Sequence, residues 1–134
     1  MANALYPKWK EQLLQFTANN NLSAGTVKVT LIDTGTYTYS SANQFWSSAS
    51  AASVGTPQTL GTKTFTNGTF DAADVTFTAV TGSSVEALII YIDTGTAATS
   101  PLVAYIDTSV TGLPVTPNGG DITITWNASG IFTL

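Results

Sequence analysis

Hydrophobic spacing changes once along this chain, and that change limits what it can fold into. Leu5, Trp9, Leu13 and Phe16 recur at steps of four, four and three residues, the spacing of one helix face. From Thr26 onward the step becomes two. Thr26-Val27-Lys28-Val29-Thr30-Leu31-Ile32 puts Val27, Val29 and Leu31 on one side. Residues 75–80 and 122–126 alternate in the same way. The continuous apolar runs at 86–93 and 102–107 have the length of strands buried on both faces. Asn67-Gly68, flanked by 62–66 and Thr69-Phe70, is the strongest short hairpin signal in the chain. Residues 131–134 can pair as a last strand. The Ser/Ala-rich stretch 40–54, around Phe45 and Trp46, reads as a loop with one helical turn whose small residues can lie flat on another surface.

The pattern predicts an all-β fold, a β-sandwich or jelly-roll-like domain with a short N-terminal α-helix. One domain is expected over 1–134, with a helical segment at 1–20 and the sandwich at 24–134. Asn3 is the expected helix cap, and Pro7 is tolerable in a first turn.

Charge is scarce. Only 9% of the 134 residues are Asp, Glu, Lys or Arg, so Thr, Ser, Asn and Gln must keep the surface polar. Desolvating a hydroxyl costs less than desolvating an ion, and a neutral polar surface suits packing against other subunits. Four lysines (Lys8, Lys10, Lys28, Lys63) against a net charge of −4 predict no nucleic-acid partner and no anionic membrane partner. The chain has no Cys and no His. Disulfides, thiolate chemistry and the commonest general base and metal ligand are therefore missing. No basic leader followed by an apolar core opens the chain, so it is read as made in a cytoplasm.

Ile-Asp-Thr occurs three times, at Ile32-Asp33-Thr34-Gly35, Ile92-Asp93-Thr94-Gly95 and Ile106-Asp107-Thr108-Ser109. Asp-Thr-Gly behind apolar residues is how an aspartic protease presents its carboxylate, and that mechanism needs two carboxylates about 3 Å apart sharing a proton. The same residues also end a strand in a turn, the Asp side chain capping it and Gly supplying positive φ. The turn reading is favoured: no Gly-rich flap follows, and 88–92 would have to serve both as support and as the second motif. Asp71 and Asp74 lie close together but form no calcium loop. Serine nucleophiles lack a His, and the Gly-containing loops match no phosphate-binding pattern. Trp9, Trp46 and Trp126 are read first as packing residues, with sugar stacking as the alternative. No enzyme, metal or cofactor is expected.

The chain resembles a group of small virion proteins of tailed bacteriophages over nearly its full length. The resemblance lies in Met1-Ala2-Asn3-Ala4-Leu5-Tyr6, in Thr26-Val27-Lys28-Val29 and in Asp74-Val75-Thr76-Phe77-Thr78-Ala79-Val80. It continues through Glu86-Ala87-Leu88-Ile89-Ile90-Tyr91 and Ala104-Tyr105-Ile106-Asp107-Thr108. The most distinctive part is Gly112-Leu113-Pro114-Val115-Thr116-Pro117-Asn118-Gly119-Gly120-Asp121. The resemblance implies a structural protein of the virion with no catalytic residues to carry over. The expectation is a capsid decoration (cement) protein that binds the major capsid protein and copies of itself, a trimer being one such form. Tyr6, Trp9, Phe45 and Trp46 are the expected contact residues. A tail, baseplate or fibre component, or a host-glycan-binding module of the virion, is the alternative.

Overall fold

A computed structural model of the protein describes residues 3–108 and 110–134. Met1 and Ala2, which carry part of the resemblance, and Ser109, the turn residue of the third Ile-Asp-Thr copy, lie outside the described residues.

The fold is all-β with one α-helix near the N-terminus, as the periodicity predicts. The strands are β1 (Ala4–Leu5), β2 (Thr26–Ile32), β3 (Ser53–Thr59), β4 (Thr64–Thr66), β5 (Thr69–Asp71), β6 (Val75–Phe77), β7 (Ala87–Asp93), β8 (Leu102–Ile106), β9 (Ile122–Ile124) and β10 (Phe132–Thr133). The helix α1 is Pro7–Leu14. A five-stranded antiparallel sheet in the order β1-β8-β7-β2-β3 forms the centre. A three-stranded sheet, β10-β5-β4, and the pair β6-β9 complete the fold. Asn67 and Gly68 both take positive φ (51° and 79°), the backbone that a two-residue hairpin loop requires between β4 and β5.

Strand β7 pairs on both sides, and all its residues from Ala87 to Ile92 are buried. Its two faces are covered by different means. The register places Lys28, Thr30, Ile89, Tyr91 and Tyr105 on one face. Over that face runs the 33–52 segment. Trp46 stacks on Tyr91 with ring centroids 4.5 Å apart and planes within 5°. Tyr39 packs on Tyr105 at 5.5 Å, and Tyr6 on Tyr39 at 5.2 Å. Thr30 and Ser53 hydroxyls bond at 2.6 Å, so the one buried threonine of β2 is satisfied. The small residues of the loop do lie flat, as the sequence suggested, but on the protein's own sheet. They form two short 3-10 turns, Trp46–Ser48 and Ser50–Ala52, in place of a single helical turn. The opposite face carries Val27, Val29, Leu31, Leu88 and Ile90, which join one core with Phe70, Val75, Phe77, Ile122 and Ile124.

The N-terminal segment departs from expectation. Leu5 belongs to β1, where it pairs with Ala104, and is not on the helix. The helix starts at Pro7 behind Tyr6, with no side-chain cap. Asn3 instead staples the end of β8: its Oδ1 accepts from the Asp107 and Thr108 N–H groups at 2.8 and 2.9 Å, and its Nδ2 donates to the Thr108 carbonyl at 2.9 Å. The helix ends at Leu14, so Phe16 lies outside it. A second departure is β3, which replaces the expected loop from Ser53 onward. It is an edge strand carrying Pro57, with a register shift against β2 and a positive-φ Gly55 (72°). Edges and bulges are where a sheet tolerates such residues.

Candidate assembly surface

The two Asp-Thr-Gly copies are both turns closed by the Asp side chain, but of the two glycines only Gly95 takes the expected positive φ (90°), while the first turn is closed as well by the Thr36 and Tyr37 N–H groups bonding to the Asp33 carbonyl. The Gly35 N–H donates to Asp33 Oδ1 at 2.8 Å, and the Gly95 N–H donates to Asp93 Oδ1 at 2.9 Å. They end antiparallel neighbours, because Asp93 pairs with Thr26 while Ile32 pairs with Ala87. At about 3.4 Å per residue this leaves the two carboxylates roughly 20 Å apart within one chain, far too distant to share a proton. Asp93 instead pairs with Lys28 at 2.9 Å. That hydrogen bond, with the one from Gly95, holds its carboxyl below the usual range. Among the described residues no group of three acidic side chains is placed to hold a metal ion. Asp33→Asn keeps the oxygen that accepts from Gly35. It is expected to change stability by less than about 1 kcal/mol in urea unfolding, because only exposed contacts are altered.

Three of the four expected contact residues are internal. Tyr6, Trp9 and Trp46 are 0%, 2% and 8% exposed. Tyr6 donates its hydroxyl to Tyr37 at 2.9 Å, since the Tyr37 hydrogen goes to Asn43 Oδ1. Trp9 meets Phe132 edge-on at 5.9 Å. Phe45 is half-buried and bridges to Pro101 beside the Trp46 stack. These residues hold the protein together and present no joint surface. Nor is there a tryptophan platform for a sugar, because Trp126 is also buried, its indole N–H donating to the Ala73 carbonyl.

What the surface does present lies next to Trp9. Leu14, Phe16, Phe65 and Leu134 are the large hydrophobic side chains left exposed among the described residues, at 87%, 97%, 48% and 65%. Phe16, Phe65 and Leu134 line a groove of about 320 Å³, together with Leu13 and Leu22 and with Trp9 at one wall. Exposed side chains scattered over a surface would need no explanation, but three of these four share one groove, with Leu14 on the adjoining helix, and such a gathered apolar patch is a candidate interaction site. Trp9 Nε1 and Asn20 Oδ1, from residues of this groove, are buried without a hydrogen-bond partner. Both atoms are shut off from solvent, so they weaken this corner of the fold and offer no bond at its surface.

Phe16 is the least expected member. It closes α1 as a glycine normally would, with φ +54°. The Phe16 N–H bonds to the Leu13 carbonyl and the Thr17 N–H to the Gln12 carbonyl at 3.2 Å each, the two-bond helix ending whose left-handed residue is usually Gly. A side chain there costs about 1–2 kcal/mol. The ring recovers none of this by packing, since it is almost fully exposed. The helical spacing put Phe16 on the apolar face but could not show that the helix stops two residues earlier. A helix end without Gly at the left-handed position was the available signal.

A second concavity, of about 520 Å³, lies at the far end of the sheet. Thr38, Tyr39, Tyr105, Pro114, Glu86 and Asp107 are among its walls. Glu86 accepts from the Thr34 N–H and hydroxyl at 3.0 and 2.8 Å. Hydrogen bonds from Ser84 and Thr34 hold its carboxyl below the usual range against its partial burial, so it is ionised at neutral pH.

A scan against protein-family models and a search of curated proteins found no match to this chain.

Proposed function

We propose that the protein is a bacteriophage virion structural protein, a capsid decoration protein that works by binding and carries out no reaction. The observation that carries this reading is the apolar cluster at the groove, in which a strained Phe16 is held out in solvent. A chain that keeps so large a side chain unpacked at a cost to itself is built to be covered by another subunit. The neutral polar surface around it adds little desolvation cost to such contacts. The sequence resemblance to small tailed-phage virion proteins supports the same reading. On the particle, several copies bound across neighbouring major capsid protein subunits would gain affinity from simultaneous engagement, even where each contact is weak.

The test is loss and restoration. Particles made without the protein are expected to release their DNA at a lower temperature than complete ones. Adding the purified protein back is expected to restore the difference. Equal heat resistance with and without it would count against decoration.

A further inference from the structure

We infer that the Phe16 end of one copy docks into the Glu86 cleft of a second copy, so that the protein self-associates head to tail. The two surfaces lie at opposite ends of the same sheet. Strand β1 runs from Ala4 opposite Tyr105 to Leu5 opposite Ala104, and the Tyr6 N–H continues to the Val103 carbonyl. The chain therefore enters α1 at the end of the sheet where Thr26 pairs with Asp93. The cleft sits at the other end, where Ile32 pairs with Ala87 and Leu88 with Ile106.

Their charges are complementary. Lys8 and Lys10 lie on α1 beside the groove residues, and Lys63 donates to the Leu22 and Gly25 carbonyls at 2.7 and 2.8 Å on its other side. Lys28, the remaining lysine, is paired with Asp93 at the same end. Glu11, paired with Lys8 at 3.0 Å, is the one acid on α1; among the described residues no Asp or Glu lines the groove, where the negative group is the main-chain carboxylate of Leu134. All four lysines are thus accounted for away from the cleft, and the chain has no arginine. The cleft end holds the ionised Glu86, with Asp33 near enough to affect its titration. The shapes and polarities also suit each other. The groove end supplies a projecting Phe16 and Leu14, and the cleft supplies a half-buried aromatic wall at Tyr39, backed by the buried Tyr105, against which a ring can pack. A contact between two different surfaces of the same chain is heterologous, and it either closes into a ring or continues as a filament.

This inference deepens the proposed function by naming what covers the patch. It is measured on the purified full chain without any particle, so its failure and the failure of the decoration reading are separate results. The experiment is sedimentation velocity over a hundredfold range of concentration at low and moderate salt. The native chain is expected to associate, more weakly as salt rises. Phe16→Gly is expected to melt at a higher temperature, because it relieves the left-handed strain, and yet to remain monomeric. Thr38→Arg, which places a cation on the exposed rim of the cleft, is expected to be monomeric as well. A mixture of the two variants leaves one intact groove end and one intact cleft, and it is expected to form dimers and stop there. A native chain that stays monomeric, a Phe16→Gly chain that associates like the native one, or a mixture that forms no dimer would each overturn the inference.

Discussion

Trp46→Ala will lower the free energy of unfolding by about 3–5 kcal/mol, enough to remove much of the stability of a domain this size. Its ring lies flat on Tyr91 at 4.5 Å and is 8% exposed. Tyr91 belongs to β7, the strand paired on both sides at the centre of the sheet. Truncation would leave a cavity over that strand and free the loop that roofs it. The Trp46 N–H also donates to the Ser100 carbonyl at 2.8 Å, tying the roof to the turn before β8. Urea unfolding followed by circular dichroism measures the loss. If Trp46 instead served an outside partner, its removal would shift stability by no more than about 0.5 kcal/mol.

The second large effect is alkaline. Tyr6 is buried, and desolvation, with its hydrogen bond to Tyr37 adding to it, pushes its hydroxyl far above the ordinary value of 10.0. Burial, reinforced by the nearby Asp93, raises Tyr91 to about 12. Burial also raises Tyr37 and Tyr105. Each folded-state pKa lies above its unfolded value, so the fold holds a proton that the unfolded chain gives up. The stability that these groups contribute is complete below about pH 10 and is lost as pH rises beyond it. The loss is about 1.4 kcal/mol per pH unit for each group still protonated in the fold. For Tyr91 it levels off near pH 12; for Tyr6 it continues. Tyr6→Phe removes one of these groups. At pH 7 the variant should be less stable by about 0.5–1.5 kcal/mol, the worth of the lost hydroxyl bond. Tyr37 keeps its bond to Asn43, which limits the damage. Above about pH 11 the order should reverse, because the variant falls with a shallower slope. Thermal unfolding of both chains between pH 7 and 12 checks this, and parallel curves would contradict it.

The parts of the fold that could be read from the sequence are those that local chemistry decides. Strand β2 was visible because Val27, Val29 and Leu31 need one buried face. Strand β7 was visible because the six-residue apolar run Ala87–Ile92 can be buried on both faces only inside a sheet. Asn67-Gly68 announced its hairpin because few other residues accept positive φ twice in succession. What failed depended on distant partners. Leu5 has the right spacing for the helix, but β8, a hundred residues away, offers it an edge to pair with. Strand β3 contains Gly55 and Pro57, which argue against a strand, and it exists because β2 presents an open edge on that side.

The candidate surface was legible only in its neighbourhood. Trp9 and Tyr6 drew attention to the N-terminal helix for being large and aromatic, the same properties that send them into the core. The side chains left outside, Leu14 and Phe16, follow from where the helix stops, which the spacing alone did not fix. Burial also decides which variant can test this surface. Deleting the first sixteen residues would remove β1, Tyr6 and Trp9 and so damage the core. Changing Phe16 alone separates contact from stability.

The most direct test of the account is the number of copies in a purified particle, measured by quantitative mass spectrometry against the major capsid protein. Capsid decoration predicts a ratio near one to one. A handful of copies per particle would contradict it and place the protein in the tail.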